Sequence, residues 1–271
     1  MSEVLLGAGE VARRLGVSPA TIQRWVDGGV LSSVRTDGGH RRVPVSEVRR
    51  VLSAERPDPA KGPLQKWVRA LFEADAASLS ALMLAARRRS GSCSFVAEEI
   101  AAALAEVGVL WELGTCKIFE EHAASEALRR ASASCSGQIA LKSKAPSALL
   151  LTVAGDRHTL GLSLSELIIA EAGWRPRWLG DGPPAEELGA LIEWRKPDLL
   201  VVAASRVIPR NTVWDYQAAL ERAMRRKSIR LVLAGDGPWT ESKAVMRVYS
   251  FHDLSNVLEQ WKSATRRSAA R

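Results

Sequence analysis

The sequence predicts a multidomain fold with three parts: a winged helix-turn-helix, a four-helix bundle and a doubly wound α/β domain. The first part is basic and dense in turn signals. The second is rich in Ala, Leu and Glu, with apolar residues at helical spacing, and the third alternates short apolar runs with helical stretches. We place these parts at residues 1–55, 64–142 and 143–271, with a linker at 56–63.

The composition predicts a cytoplasmic protein that meets a polyanion. No apolar run approaches the roughly 20 residues that span a bilayer, so no membrane contact is expected. The 3 cysteines are an odd number without a Cys-x-x-Cys pair, which favours a reducing compartment. The formal net charge of +8 indicates a polyanionic partner.

The α/β prediction depends on short apolar runs at residues 148–153, 198–204 and 230–234. Helical stretches lie between them, at 162–172, 185–194 and 215–226. Strands that alternate with helices predict a parallel sheet with right-handed crossovers. Ligands of such folds bind at the carboxyl ends of the strands.

The bundle prediction depends on helical periodicity. Apolar residues from Leu64 to Phe72 form one helix face, and those from Phe95 to Val107 form another. With helix breaks expected at residues 89–92 and at Gly108, four helices result. Residues 56–63 contain three prolines and one glycine, which is typical of a semi-rigid linker.

Residues 9–27 show the pattern of two short helices joined by a tight turn that contains glycine. Ser18-Pro19 supplies an N-cap and a first-turn proline for the second helix. Thr21, Gln23 and Arg24 are left to face the major groove of DNA. Residues 37–39, Asp-Gly-Gly, then predict a hairpin turn, and so a basic β-wing.

This segment resembles the head of the MerR superfamily, especially its excisionase-like and BldC-like members. Residues 17–25, Val-Ser-Pro-Ala-Thr-Ile-Gln-Arg-Trp, and 34–42, Val-Arg-Thr-Asp-Gly-Gly-His-Arg-Arg, carry the resemblance. In that family the His and Arg residues of the wing approach the phosphate backbone or the minor groove. The resemblance implies this role for Arg35, His40 and Arg41.

A histidine follows the first predicted strand of the α/β part, in the pattern Asp156-x-His158-x-x-Gly161. A carboxylate two residues away can orient the imidazole and raise its basicity toward a metal. The pattern resembles the B12-binding domain of methionine synthase and its relatives, where this histidine is the lower axial ligand of cobalt. Asp156, His158 and Gly161 are therefore expected to bind cobalamin.

Two further landmarks of that family follow the later strands. Its Ser-x-Leu corresponds to Ser205 and Val207, and its Gly-Gly to Gly235 and Asp236, with Gly237 next. We expect all five residues to contact the cofactor. Asp236 departs from the family pattern and is expected to reshape the cleft that holds the nucleotide tail.

The bundle carries Trp111, followed ten residues later by Glu121-His122. Tryptophan, then Glu-His, between a MerR head and a B12 domain, resembles the CarH/LitR photoreceptors. The resemblance covers essentially the whole chain. It implies that Trp111, Glu121 and His122 shape a pocket for the 5′-deoxyadenosyl group of adenosylcobalamin.

The family implies a repressor that is a tetramer on operator DNA in the dark. Light breaks the cobalt–carbon bond, the bundle moves, and the oligomer leaves DNA. One departure is Glu112, which stands where the best-known members have a histidine that captures cobalt after illumination. Three outcomes then remain open for the upper face of cobalt after illumination: a water ligand, His122 as a ligand, or no stable adduct. We expect water.

Two other functions remain open from the sequence. A regulator could sense the level of B12 without responding to light. A corrinoid methyl carrier would show the same lower-histidine motif, although it has no use for a DNA-reading helix. We expect a regulator rather than an enzyme, because no catalytic triad, carboxylate pair or phosphate-binding loop is evident.

Overall fold

The computed structural model describes residues 5–15, 19–28, 31–36, 39–52, 62–112, 116–225, 228–243 and 245–269. The chain divides into two compact units. The first comprises Met1–Glu73 and Ala102–Ala124, and the second Ala74–Ala101 and Ser125–Arg271. These units cut through two long helices and so differ from the predicted borders at 55, 64 and 142, which stay predictions.

The basic head folds as a winged helix-turn-helix. A short strand and two helices precede a hairpin, and a third helix follows it: β1 (Leu5–Leu6), α1 (Ala8–Leu15), α2 (Pro19–Asp27), β2 (Val34–Arg35), β3 (Arg41–Pro44) and α3 (Val45–Leu52). The strands form an antiparallel sheet in the order β1-β3-β2. Val11, Ile22 and Trp25 are buried in its core, as the apolar spacing requires. Val17 and the turn residues Asp37 and Gly38 lie outside the described residues.

Four helices follow: α4 (Gly62–Glu73), α5 (Ala76–Ser90), α6 (Cys93–Glu112) and α7 (Ile118–Gly137). Helix α4 begins inside the predicted linker, whose residues 56–61 lie outside the described residues. The break near residue 90 is confirmed, since Gly91 adopts φ 77° and ends α5. The break predicted at Gly108 is wrong. A helix tolerates one glycine at a cost of about 1 kcal/mol, and α6 continues to Glu112.

The α/β part is a five-stranded parallel sheet with helices in the crossovers. Its elements are β4 (Ser147–Thr152), α8 (Leu160–Glu171), β5 (Arg175–Gly180), α9 (Leu188–Arg195), β6 (Leu199–Ala203), α10 (Arg210–Met224), β7 (Arg230–Ala234), β8 (Met246–Arg247) and α11 (Phe251–Ala269). The strand order is β5-β4-β6-β7-β8. Consecutive crossovers from β4 and β6 leave in opposite directions, so a ligand-binding crevice is expected where these two strands end.

The three strands predicted from apolar runs, β4, β6 and β7, are buried. Sequence reasoning missed β1, β5, β8 and helix α11. Strand β5 reads Arg-Pro-Arg-Trp-Leu-Gly and lies at a sheet edge, where proline and charge are tolerated. His252 is the second residue of α11.

Two carboxylates in the second unit cap the N-termini of helices α6 and α11. Glu171 at the end of α8 accepts hydrogen bonds from the backbone N–H of Cys93 (2.8 Å), where α6 begins, and from Nε of Arg87 (2.8 Å). Glu98 in α6 accepts hydrogen bonds from the N–H of Phe251 (2.8 Å) and of His252 (3.3 Å), where α11 begins. Negative charge at a helix N-terminus is stabilising, so these pairs hold the first turns of α6 against the sheet domain.

Phe95, predicted as part of a buried helix face, is 51% exposed. Its ring meets the imidazole of His252 edge-on, with centroids 4.5 Å apart.

Among the described residues, none of the helices combines the length and the hydrophobicity that a membrane span requires.

Candidate functional site

A buried carboxylate joins the loops that follow β4 and β6. Asp156 Oδ1 accepts hydrogen bonds from the N–H of His158 (3.0 Å) and from Oγ of Ser205 (3.0 Å), and it lies 2.9 Å from Nδ1 of His158. Its Oδ2 accepts from the N–H of Ser205 at 2.6 Å. Three residues predicted from two separate motifs therefore form one cluster at the switch point of the sheet.

This cluster orients the imidazole of His158. Nδ1 lies against Asp156 and also 3.3 Å from Oγ of Ser205, and the side chain is 63% exposed. A histidine that donates one ring N–H to a carboxylate presents its other nitrogen, here Nε2, as a metal ligand of raised basicity. The arrangement is suited to a metal ligand at the carboxyl ends of the strands.

Asp156 is ionised at neutral pH. Burial raises the pKa of this carboxyl, but the hydrogen bonds from Ser205 and His158 together outweigh burial, and the pKa lies below its usual value. The Asp156 carboxylate thus carries a negative charge where it can stabilise an electropositive imidazole.

Beside the cluster lies a cleft of about 360 Å³. It is bordered by α8, by the ends of β6 and β7, and by the start of α11. Its lining includes His158, Gly161, Leu162, Ser165, Ser205, Gly235, Asp236, Tyr249 and Phe251. An elongated group attached below a metal at Nε2 of His158 would have room here.

The glycines after β7 are required by close backbone contact. Gly235 adopts φ 78°, and a Cβ at Gly235 or Gly237 would overlap atoms of Ala204. Between them Asp236 points to solvent, where Oδ2 pairs with Nε of Arg206 (2.8 Å) and Oδ1 accepts from the N–H of Arg206 (3.1 Å). Asp236 therefore fastens the loop after β7 to the loop after β6.

Among the other predicted cofactor residues, Gly161 lines the cleft and Val207 does not. Val207 is 63% exposed. Sequence reasoning missed Glu98, Tyr249 and Arg247. Glu98 and Tyr249 line the cleft, and Arg247 donates a hydrogen bond to the carbonyl of Gly235. No motif marks Glu98 and Tyr249, because they reach the cleft from elements distant in sequence.

The predicted bundle residues lie on α6 and α7 of the first unit. Trp111 is 48% exposed. Glu121 and His122 stand together near the start of α7, with Nε2 of His122 3.6 Å from Oε2 of Glu121. The exposed apolar side chains Ile118 and Phe119 lie on the same helix. Their predicted role toward an adenosyl group stays a prediction.

The predicted DNA-facing residues are mostly exposed. Gln23 and Arg24 are exposed on α2, and Thr21 is half-buried and accepts a hydrogen bond from Arg24 (3.4 Å). On the wing, Arg35 and His40 are exposed.

Arg41 forms an ion pair with Asp27 at the end of α2, which the sequence did not predict. This ion pair links the wing to the C-terminal end of α2.

Comparison with known protein families matches the head and the four helices that follow it. Residues 5–56 match the family model of a helix-turn-helix domain, and residues 63–135 match that of a B12 binding domain. The second match coincides with helices α4 to α7. No curated protein sequence matches the chain.

Among solved structures, the chain is similar to a monomethylamine corrinoid protein from Methanosarcina barkeri. The identity is 16% and the TM-score 0.53, over 72% of this chain and 96% of that chain. A cobalamin-binding protein from Desulfitobacterium hafniense DCB-2 (17% identity, TM-score 0.37, 73% and 98% covered) and a methanol:cobalamin methyltransferase complex from Methanosarcina barkeri (14%, 0.37, 90% and 92%) are less similar. The first likeness shows that this chain shares the fold of a corrinoid protein over 72% of its length.

The predicted fold class is thus confirmed: a helix-turn-helix, a helical segment of B12-binding type and a Rossmann-like domain. A DNA-binding domain followed by a B12-binding domain is consistent with the CarH-like architecture. This combination fits a B12-responsive regulator.

The low pKa of Asp156 predicts a contribution to acid stability. A carboxyl whose folded pKa is depressed stabilises the fold above its unfolded pKa, about 3.9, and this stabilisation is lost as pH falls through the folded pKa. Tm measured from pH 6 to pH 3 should therefore fall less steeply in Asp156→Asn than in the wild type. Asp215→Asn, at an exposed position of α10, is the control and should follow the wild type. Parallel curves for all three proteins would contradict the assignment.

The head predicts opposite effects for two partners of one ion pair. Arg24→Ala and Arg41→Ala should weaken binding to duplex DNA and lower the salt slope of log K by about one unit per lost phosphate contact. Asp27→Asn should strengthen binding, because it removes a negative charge beside Arg41. Fluorescence anisotropy at several salt concentrations measures both. Arg69→Ala, on α4, is the matched control, and unchanged binding in all three head variants would refute this surface.

Proposed function

We propose that this chain, which joins a helix-turn-helix domain to a B12-binding domain in CarH-like order, is a light-responsive transcriptional repressor with adenosylcobalamin as its chromophore. The observation that carries the proposal is the cluster of Asp156, His158 and Ser205 in a chain that also has a DNA-binding head. The cluster orients His158 as a ligand for cobalt. The DNA-binding head would allow cofactor binding to control transcription.

The residues of the cleft fit a corrinoid. Nε2 of His158 would bind the cobalt, and the carboxylate of Asp156 holds the ring through Nδ1. The cleft beside it would accept the nucleotide tail, since Gly161 and Gly235 are among its lining residues and have no side chains that would narrow it. Ser205 and Asp236 hold the two loops that form its rim.

Adenosylcobalamin supplies a cobalt–carbon bond that green light breaks. In the dark, Trp111, Glu121 and His122 would contact the adenosyl group, and these contacts would favour the conformation that assembles into a tetramer. Contacts made in only one state bias the equilibrium toward that state. A hundredfold preference needs about 2.7 kcal/mol, which two or three hydrogen bonds supply.

Assembly then controls occupancy of the operator. Each head contributes α2, with Gln23 and Arg24 exposed, and a basic wing. Several heads on one DNA bind with a much higher effective concentration than a single head. Loss of the adenosyl contacts favours the dissociated state, and DNA is released.

Two rival functions predict different behaviour. A B12-level sensor would assemble or dissociate with the ligand in darkness and ignore light. A corrinoid methyl carrier would share the fold that this chain has in common with a monomethylamine corrinoid protein. Such a carrier would accept a methyl group and would not bind DNA, so a DNA-binding head argues against it.

The deciding experiment mixes the protein with adenosylcobalamin and follows absorbance and size-exclusion elution in darkness and after green light. We expect a larger dark species that binds DNA, and a smaller lit species that does not. His158→Ala should bind the cofactor more weakly and lack the base-off, histidine-ligated spectrum. A lit species of unchanged size and DNA affinity would leave the B12-level sensor, and a His158→Ala spectrum equal to wild type would refute the ligand assignment.

Glu112 predicts an unusual lit state. A carboxylate is a harder donor than imidazole and a poorer replacement at cobalt. The illuminated wild type should therefore lack the absorbance of a cobalamin held by two imidazoles, and Glu112→His should gain it. If wild type already shows that absorbance and His122→Ala leaves it intact, the proposed arrangement of the bundle residues is wrong.

A further inference from the structure

Glu98 lines the cleft and has one carboxylate oxygen that the protein leaves unengaged. Its Oε1 accepts the backbone N–H groups of Phe251 and His252, and Nδ1 of His252 lies 3.6 Å from the same oxygen. Among the described residues, no donor is placed against Oε2. The side chain is 37% exposed. Oε2 is therefore an acceptor that a ligand in the cleft can use.

The position of Glu98 on α6 directs it toward the cleft. Glu98 and Ala101 both line the cleft and stand three residues apart on this helix. Residues at that spacing lie on one face of a helix. The fixed Oε1 also holds the carboxylate at the start of α11, which borders the same cleft.

Ser250, directly before α11, adds a donor beside this acceptor. Its Oγ accepts the backbone N–H of Asp253 at 3.0 Å, and the hydroxyl hydrogen has no acceptor among the described residues. A hydroxyl has one donor besides its acceptor sites, so Ser250 can still donate. Ser250 lines the cleft and precedes Phe251, whose N–H is bound by Glu98. The cleft thus offers an acceptor and a donor close to each other.

Much of the remaining lining is apolar or already engaged. Its small and apolar members include Ala203, Ala204, Ala234, Gly235, Val248 and Leu254. The hydroxyl of Ser165 donates to the carbonyl of Gly161, and both oxygens of Asp236 are held by Arg206. In apolar pockets a few polar groups fix the orientation of a ligand and select it. Glu98 and Ser250 are suited to that role.

A carboxylate oxygen that loses water to a bound ligand needs a donor in return, because an unpaired polar group is costly once it is covered. The dimethylbenzimidazole base of cobalamin presents C–H groups along its benzene edge and offers no such donor. Adenine presents an amino group that donates and a ring nitrogen that accepts. These two groups match Oε2 of Glu98 and the hydroxyl of Ser250.

We propose that Glu98 and Ser250 make this chain selective for corrinoids whose lower base carries an amino group, with adenine as the model base. The inference rests on the proposed corrinoid function and deepens it by naming the kind of base. It concerns the nucleotide tail alone, and the cobalt–carbon bond is the same in such a corrinoid. A hydrogen bond from the amino group to a carboxylate is charge-assisted, and such bonds are about twice as strong as neutral ones.

The test compares two corrinoids that differ by one amino group: one with adenine as its lower base and one with unsubstituted purine. Both are titrated in darkness in their adenosyl forms and followed by absorbance, with adenosylcobalamin as the reference. The wild type should bind the adenine form about 10-fold more tightly than the purine form, in line with one charge-assisted hydrogen bond.

Two variants remove the two partners separately. Glu98→Gln keeps an oxygen for the N–H groups of α11 and places an amide NH2 at the position of Oε2. Two donors then oppose each other, so the preference for adenine should disappear or reverse. Ser250→Ala removes only the hydroxyl and should lose part of the preference.

Glu171→Gln is the matched control. Glu171 also caps a helix, α6, but it does not belong to the lining of the cleft. The same change from carboxylate to amide should therefore keep the wild-type preference. Tm is measured for every variant, and if Glu98→Gln does not fold, Ser250→Ala decides alone.

The outcomes distinguish this inference from the proposed function. Wild type that binds the adenine and purine forms equally overturns the role of Glu98 and leaves the proposed function standing. A folded Glu98→Gln that keeps the wild-type preference does the same, as does an unchanged preference in Ser250→Ala where that variant decides. Wild type that binds none of the three corrinoids overturns the proposed function and this inference with it.

Discussion

The candidate site depends on one buried carboxylate. Asp156 is 1% exposed and accepts hydrogen bonds from His158 and from Ser205, so it joins the loops after β4 and β6. A buried charge is stable only when its hydrogen bonds are satisfied, and the four contacts of Asp156 meet that requirement. The same contacts orient the imidazole. Fold stability and the orientation of His158 are therefore coupled, and replacement of Asp156 should affect both.

The wall of the cleft has a comparable double role. Glu98 lines the cleft and caps α11, while Glu171 caps α6 from the sheet domain. Glu171 of α8 thus caps α6, and Glu98 of α6 caps α11. These two caps hold the start of α6 beside the cleft. The rim is held by the pair of Asp236 and Arg206, at the position where related B12 domains have a second glycine.

Particular residues show why some features could be predicted. The strands β4, β6 and β7 are central and buried on both faces, so their sequences are continuous apolar runs. Strands β5 and β8 lie at the two edges of the sheet, where both faces need not be buried. Their Arg, Pro and Met residues therefore show no continuous apolar run. Asp156 and His158 were predicted because a local motif holds both. Arg41 was predicted to face DNA, and its ion pair with Asp27 was not, because the two lie 14 residues apart.

The sequence by itself determined the order of the domains, the helix-turn-helix, the buried strands and the position of His158, since periodicity, turn residues and short motifs are local properties of the chain. Only the tertiary structure decided which distant side chains share the cleft. Glu98, Ser205, Asp236 and Tyr249 come from four separate segments, and the parallel sheet brings its strand ends to one edge. The unengaged oxygen of Glu98 is a property of that assembled cleft, because the contacts of an atom depend on every element packed around it.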